Sequence, residues 1–451
     1  MKKVAPLIKE VEGLRAEVKE LKARLNQHSK NSNKPPSSDG YRKAANLPKE
    51  KKERGGQKGH KGDTLKFSEH IDIVLKHEPK GCSCGGEVNP SSIYLKESRQ
   101  VFDLPEPKLE VTEHQIMEGV CNCCGEKVSG SFPLEVKGSV QYGSGVKALV
   151  ALLSNQSHLS YAQISALFKE LFNYKINGGT LLKINRDYYH NLSSSIEVIQ
   201  SELRKSPVNH FDETGVRVSG KNHWLHVVSN KLNTHLFVHL NRGKEALNSP
   251  ESLLPHYEGR AIHDSWSSYF SYTNCTHGLC GAHLIRELEG QIEQGSNWAK
   301  RMQALLVYVL VAIQETGGVY EDFNWLKRHY KRICQLGQTE EPPPIKTSGR
   351  GKLKRTKGRN LLERLEKYEQ AVLAFAHYAE VPFTNNLAER DIRPAKSKLK
   401  IAGCFRTFEG AQYYVRIRAF ISTCLKQQKN VFQQLKRACS GQSFLTDLIT
   451  T

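Results

Sequence analysis

The chain has 451 residues and a formal net charge of +20, enough length for about three domains and a sizeable core. So basic a balance implies an anionic partner, and nucleic acid is favoured over membrane because no lipidation motif, amphipathic anchor or apolar run longer than 304–313 is present. No apolar segment or cleavage site follows the first lysines, so the protein is expected in the cytoplasm, where eleven cysteines argue for metal binding or burial rather than disulfides.

Residues 1–27 place Val4, Leu7, Val11, Leu14, Val18, Leu21 and Leu25 at alternating steps of three and four, the spacing of a short coiled coil. Such a segment can pair two chains weakly, and the same stripe fits a helix docked on its own protein. Residues 28–66 are polar, basic and punctuated by glycine and proline, which predicts an unpacked, disordered basic linker able to lie along phosphates.

Residues 67–136 hold Cys82-Ser83-Cys84-Gly85 and Cys121-Asn122-Cys123-Cys124-Gly125, with strand-like segments at 93–95 and 109–113 between them. Paired thiolates in glycine-closed turns predict a structural Zn²⁺ in a zinc-ribbon-like domain. The best ligand set is Cys82, Cys84, Cys121 and Cys124, with Cys123 able to replace a neighbour; unliganded reduced cysteines are the alternative. Residues 137–204 then repeat apolar positions at helical spacing over 146–153, 161–172 and 180–191, with Thr180 as a cap after Gly178-Gly179. This is a helix-turn-helix-like DNA-binding unit in which Lys183, Asn185 and Arg186 are expected to meet base edges or phosphates, or else a plain helical bundle.

Residues 205–272 change character. The segment from Val208 to Val218 is rich in β-branched residues, carries Asp212 and has a turn signal after its acids. Strands at 224–228 and 235–240 follow, joined by Asn230-Lys231-Leu232-Asn233, and three consecutive strands make an antiparallel meander. A helical stretch over 244–254 leads to a short strand ending in Asp264, which predicts a parallel crossover.

Residues 273–380 read as a mostly helical insertion. It opens with Cys275-Thr276-His277 and Cys280-Gly281-Ala282-His283, whose thiols and imidazoles are metal-ligand types. His283, Arg286 and Glu287 recur at helical spacing and are expected to face a catalytic pocket or, alternatively, to form ion pairs on a surface helix. Within the basic loop 345–360, Lys346, Arg350, Lys352, Lys354, Arg355, Lys357 and Arg359 form a cationic run without an acid, a phosphate-binding pattern.

Residues 381–451 return to the core. Glu389 falls in the first turn of a helix that Asn385 or Asn386 can cap, and Arg390, Arg393, Lys396, Lys398 and Lys400 continue it as a basic strip for DNA. An amphipathic helix over 413–425 turns Ile417, Phe420, Ile421 and Cys424 inward.

Asp212, Asp264 and Glu389 taken singly read as turn, cap or solvated helix residues. Taken in order on strand, strand and helix they match an RNase H-like core. Hard Mg²⁺ or Mn²⁺ ions prefer oxygen ligands, and two such ions roughly 4 Å apart can clamp the attacking and leaving oxygens of a phosphodiester. The fold class expected is therefore multidomain α/β: coiled coil, zinc ribbon and helix-turn-helix-like unit ahead of an RNase H-like core with a helical insertion.

Three sequence words sharpen this: His-Asp-Ser-Trp-Ser-Ser-Tyr at 263–269, Cys-Gly-Ala-His-Leu-Ile-Arg-Glu-Leu at 280–288 and Thr-Asn-Asn-Leu-Ala-Glu-Arg-Asp-Ile-Arg-Pro at 384–394. With Asn31-Ser32-Asn33-Lys34-Pro35-Pro36-Ser37-Ser38-Asp39, Gly55-Gly56-Gln57-Lys58-Gly59-His60-Lys61-Gly62 and the cysteine pairs, they make the chain resemble insertion sequence 66 family transposases over nearly its whole length. The resemblance implies a metal-dependent enzyme that nicks transposon ends and joins the freed 3′-hydroxyls to target DNA, with Asp212, Asp264 and Glu389 as its triad. Such an enzyme handles two DNA ends, which suits a homodimer or higher oligomer in a synaptic complex and companion proteins from the same element. Family members carry Cys-x-x-Cys at both knuckles, so the Cys82–Cys84 pair departs from the pattern. Two alternatives remain at this point: a tyrosine recombinase built on His283, Arg286, Arg390, Arg393 and Tyr413 or Tyr414, and a zinc-containing DNA-binding regulator without catalysis.

Overall fold

The computed structural model describes residues 64–79, 81–343 and 355–447, together with Gln27 and Asn31. The coiled coil expected over 1–27, nearly all of the 28–66 linker, and Lys346, Arg350, Lys352 and Lys354 of the basic loop lie outside the described residues. The chain divides into two compact units, residues 41–112 and residues 1–40 with 113–451.

In the smaller unit the chain is held by local bonds. Ser68 and Gln100 bond reciprocally: the Ser68 amide donates to Gln100 Oε1 at 2.7 Å and Gln100 Nε2 donates to the Ser68 carbonyl at 2.9 Å. A tight turn closes at Cys82, whose carbonyl accepts from the Gly85 amide and whose amide donates to the Gly86 carbonyl. Gly85 sits at φ 85°, a conformation that favours glycine. The strands expected at 93–95 and 109–113 are not formed. Ile93, Tyr94, Leu95 and Val111 are exposed, and among the described residues from 64 to 147 none is buried, so no packed face holds a strand there.

The larger unit begins with a hairpin, β1 (Glu118–Val120) against β2 (Lys127–Ser129), with the 121–125 cysteine turn at its tip. Four helices follow: α1 (Ser144–Asn155), α2 (Tyr161–Phe172), α3 (Gly178–Asn191) and α4 (Ser193–Lys205). Ser160 and Gln163 form a capping box at the start of α2, and Asn173 ends it in the left-handed conformation. Helix α3 starts two residues before the expected Thr180 cap, because the Asn177 side chain accepts from the Gly179 amide and caps it there. Ala148, Val150, Ile164, Phe168, Leu181 and Ile184 bury the facing sides, and each fully buried Ile, Leu or Phe contributes about 1.5–3 kcal/mol.

The sheet that follows has the order β5-β4-β3-β6-β7. β3 (Val208–Val218), β4 (Lys221–Ser229) and β5 (Thr234–His239) are antiparallel neighbours, whereas β6 (Arg260–His263) and β7 (Thr276–Leu279) run parallel to β3. β3 does not break after its acids: Gly215 stays in register opposite Trp224, and the turn comes at Ser219-Gly220, both at positive φ as a two-residue hairpin requires. The helical stretch expected over 244–254 is reduced to α5 (Lys244–Leu247) and a 3₁₀ turn at Leu254–His256.

Between β7 and the last part of the chain lie α6 (Gly281–Ile292), α7 (Asn297–Thr316), α8 (Phe323–Glu340), α9 (Lys357–Lys367), α10 (Glu369–Val372) and α11 (Ala374–His377). They have their own core, with Leu284, Leu288, Trp298, Met302, Leu306, Leu326, Tyr330 and Leu362 buried. Asn31, expected in an unpacked linker, is only 7% exposed, and its side-chain amide donates to Glu293 of the chain just past α6. Helix α12 (Asn386–Ala402) then packs on β3 and β4, and α13 (Phe408–Lys426) on β5 and α3. α14 (Val431–Ala438) and α15 (Phe444–Asp447) close the chain against α1 and α4.

Candidate active site

The three acids come from three elements that the sequence ties together with specific bonds. Asp212 lies within the central strand β3, Asp264 follows the last residue of the adjacent parallel strand β6, and Glu389 is in the first turn of α12. Asn385 joins them. It is 1% exposed and, at the N-cap of α12, makes no side-chain capping bond. Its amide instead donates to the Phe211 carbonyl at 2.7 Å, its Oδ1 pairs with His210 Nδ1 at 2.8 Å, and its backbone N–H points at Cys280 Sγ at 3.2 Å. One bond further, the Gly281 amide donates to the Phe383 carbonyl at 2.7 Å. Two of the three sequence words are thereby bolted to each other and to the strand carrying Asp212.

The third word serves the same site. Asp264 Oδ1 accepts from the Trp266 amide at 2.8 Å, and the Tyr269 ring stacks on buried His263 with centroids 4.6 Å apart. The Tyr269 hydroxyl donates to Glu213 at 2.5 Å, and Arg242 reaches the other Glu213 oxygen at 2.6 Å. The Arg242 guanidinium lies over both Trp266 and Trp224, at 4.4 and 4.9 Å from their ring centroids. Glu213, Arg242, Tyr269, Asn385 and His210 were not expected as site residues. The signals were present, an acid pair at 212–213 and two aromatics within the 263–269 word, but which partner each would meet depends on the fold.

Burial leads the electrostatics of the site, and crowding of negative charge adds to it. Burial holds the Asp212 carboxyl well above the usual carboxylate range, and the charges of Glu213, Asp264 and Glu389 push it further. Glu213 is raised by burial and by Asp264, opposed by its bonds from Tyr269 and Arg242. His283 Nδ1 stands 4.0 Å from a Glu389 oxygen. Burial and then Arg286 lower its pKa, against the pull of Glu389 and Asp264. Burial raises the Cys280 thiol. Among the described residues, Cys280, His283 and Glu389 form the group whose ligand atoms all lie within 4.8 Å of one another; Asp212 and Asp264 are outside it, and the charge of Glu389 acts on Asp212. The arrangement suits a cation: carboxylate oxygens fit Mg²⁺ or Mn²⁺, while the thiol and imidazole beside Glu389 add softer donors.

The residues expected to meet DNA divide. Lys183 and Arg186 are exposed on α3, and Arg390, Arg393 and Lys396 are exposed along α12. Asn185 is a correction. It is 3% exposed, its Oδ1 accepts from Asn155 at 2.8 Å and Ser154 at 3.1 Å, and its amide donates to the Leu181 carbonyl at 2.9 Å. Its side chain knits α3 to α1 and has no capacity left for a base. Lys398 is half-buried and donates to the Ser154 carbonyl at 3.2 Å. Arg355 pairs with Glu363 at 2.6 Å, which answers part of the loop's charge within the protein. Tyr414 is 2% exposed, a poor position for a recombinase nucleophile.

The cysteine turns belong to different units and are described separately. At 121–125 the Gly125 amide donates to the Cys121 carbonyl at 2.9 Å, and the Cys121 amide donates to the Glu126 carbonyl at 2.8 Å. This loop is one residue longer than the turn at Cys82. In each, the first thiol is lowered by hydrogen bonds from its own turn, led by the Cys84 backbone at Cys82 and the Cys124 backbone at Cys121.

The family model described as "Transposase IS66 family" matches residues 139–413, from before α1 into α13. A second, described as a family of unknown function (DUF6444), matches residues 2–66. No curated protein matches the chain. Among the described residues no helix is long and apolar enough to cross a membrane.

Proposed function

The chain belongs to the IS66 transposase family, and we propose that it cuts and joins DNA by in-line phosphoryl transfer, with Asp212, Asp264 and Glu389 as the metal-holding carboxylates of an RNase H-like core. The observation that carries this reading is the placement of Asp212, part-buried on the central strand β3, where burial and then the charges of Glu213, Asp264 and Glu389 hold its carboxyl well above the usual range. Such a cluster is costly in a metal-free protein and becomes favourable when a cation sits among the oxygens. The antiparallel meander followed by two parallel strands supports the RNase H-like assignment. The family reaches the chemistry only at the level of DNA transposition.

Divalent ions held by the three carboxylates supply charge stabilisation for the attacking and leaving oxygens. The chain's own residues do the positioning. Asn385 fixes Glu389 against β3, the Trp266 amide orients the Asp264 carboxylate, and Tyr269 with Arg242 keeps Glu213 engaged so that it does not compete for the cation. Arg390 and Arg393, exposed on the helix that carries Glu389, neutralise flanking phosphates. In the first step water adds to phosphorus as the bond to the 3′-oxygen breaks, giving a 3′-hydroxyl and a 5′-phosphate. In the second that 3′-oxygen attacks a target phosphodiester and displaces a target 3′-hydroxyl, so one phosphodiester is exchanged for another without a covalent protein intermediate.

Two further assignments complete the reading. Each cysteine turn, taken by itself, is a candidate holder of structural Zn²⁺, Cys82 and Cys84 in one unit and Cys121 and Cys124 in the other, and in each the leading thiol is lowered by its own turn. The protein works in the cytoplasm as an oligomer on two DNA ends. The test is nicking of labelled DNA carrying the element's own ends in Mg²⁺ or Mn²⁺. Asp264→Asn is expected to lower the rate at least a hundredfold with end binding unchanged; cleavage by Asp264→Asn at the wild-type rate would remove the triad.

A further inference from the structure

Four side chains converge where the α1–α2 turn meets α12 and α13: His158, Lys398, Tyr414 and Arg418. His158 and Tyr414 have ring centroids 6.2 Å apart, and Lys398 Nζ lies 5.0 Å from the Tyr414 centroid. The charges of Lys398 and Arg418 both act on His158, and that of Arg418 acts on Tyr414. His158 is held at φ 60°, a conformation uncommon for a residue with a side chain.

The cluster is rich in buried hydrogen-bonding capacity that nothing in the protein uses. His158 Nδ1, Tyr414 Oη and Arg418 Nε are all buried without a partner. Arg418 is 9% exposed and Tyr414 2% exposed. Arg418 spends one terminal nitrogen on the Gln156 side chain, and among the described residues neither it nor Lys398 has an ion-pair partner. Asp391 is the acid whose field reaches Arg418, but its carboxylate is shared by Lys426 at 2.7 Å, Ser422 at 2.9 Å and Thr234 at 3.1 Å. Uncompensated buried cations and orphaned donors are expensive, and a multidentate anion answers both costs.

We propose that His158 and Lys398, part-exposed beside buried Tyr414 and Arg418, form a phosphate-binding site, separate from the carboxylate cluster, that takes a backbone phosphate of bound DNA. Phosphate chemistry is favoured because an ammonium and an imidazole are part-exposed together while the charge of the buried Arg418 guanidinium acts on the imidazole. His158 and Lys398 are the two members of the cluster that solvent reaches. DNA is favoured because Lys398 follows Glu389 on the same helix at about 13 Å along its axis, with exposed Arg390, Arg393 and Lys396 between them. Burial lowers His158 to about 4, with the charges of Lys398 and Arg418 adding to it, and lowers Lys398 to about 8, so near pH 7 the imidazole is a neutral hydrogen-bonding group beside the ammonium.

The inference rests on DNA as the substrate and not on the triad, so it is tested without divalent metal. Affinity of the full chain for end DNA is measured against salt concentration for wild type, Lys398→Gln and Arg418→Gln, with Lys300→Gln, exposed on α7, as the control for loss of one surface cation. A second arm follows Tm in inorganic phosphate against chloride at matched ionic strength. The site predicts about tenfold weaker DNA binding for Lys398→Gln, with the slope of log affinity against log salt reduced by about one, and phosphate stabilisation of wild type that the variant lacks. Phosphate stabilisation without a change in DNA slope would support the site but make free phosphate its ligand, overturning the DNA assignment. A folded Lys398→Gln protein with unchanged affinity, slope and phosphate response overturns the proposal, and it is judged on this half-exposed position because Arg418→Gln can fail to fold.

Discussion

Asp212 shows how far single residues can be read. Its place on a β-branched strand was legible, because that pattern depends only on alternation and propensity. Its environment was not, since Glu213, Asp264 and Glu389 meet it only through the fold. A carboxyl raised in the folded state contributes stability below its unfolded pKa and loses it as pH rises through the folded value. Asp212→Asn should therefore raise the Tm of metal-free protein by roughly a few degrees at pH 7 and leave it unchanged near pH 4; an equal or lower Tm at pH 7 contradicts the account. Histidines run the other way. His226 and His235 are pushed down to about 4 and His263 to about 3, in each case chiefly by burial, so their contribution is present above the usual histidine range and lost as pH falls through about 4. Thermal unfolding followed between pH 7 and pH 4 should show this acid-side loss.

At the scale of elements, the strands and the helix behind Glu389 followed their periodicity, whereas boundaries moved where a side chain chose a different partner. Asn385 was expected as a possible cap and instead spends its amide on β3; Asn177 caps α3 ahead of Thr180. Asn185 was read as a DNA contact because a polar residue on a third helix looks available, and only the packing of α1 against α3 reveals that it is used up. Close approach of elements was also invisible in the sequence. A Cβ added at Gly281 would overlap the Phe383 ring, which sits two residues before Asn385. Gly281→Val should therefore displace the start of α12 and lower DNA cleavage about a hundredfold while zinc content and end binding persist. Cleavage at the wild-type rate would show that this contact does not position Glu389. Asn385→Leu should cost about 1–3 kcal/mol for unpaired groups on β3, read as a shift in the denaturant midpoint.

For the whole molecule, the helical character of most of 273–380 was legible from spacing, but its expected start was not, since β7 (Thr276–Leu279) belongs to the sheet and the core under these helices includes Ile262 and Leu279 of the strands. The cysteine-bearing segment departed most from expectation, since its strands formed around the second knuckle and nowhere at 93–95 or 109–113. If zinc organises the cysteine turns, purified protein contains zinc that chelation removes and that Cys121→Ser lowers; a zinc-free, equally stable protein contradicts that. The carboxylate mechanism is tested most directly by presenting a pre-cut transposon end with target DNA in Mg²⁺. The account predicts joining of ends that carry a 3′-hydroxyl, no joining of 3′-deoxy ends, and loss of joining in Asp212→Asn, Asp264→Asn and Glu389→Gln. A protein–DNA adduct that survives denaturation, or joining of 3′-deoxy ends, would contradict it.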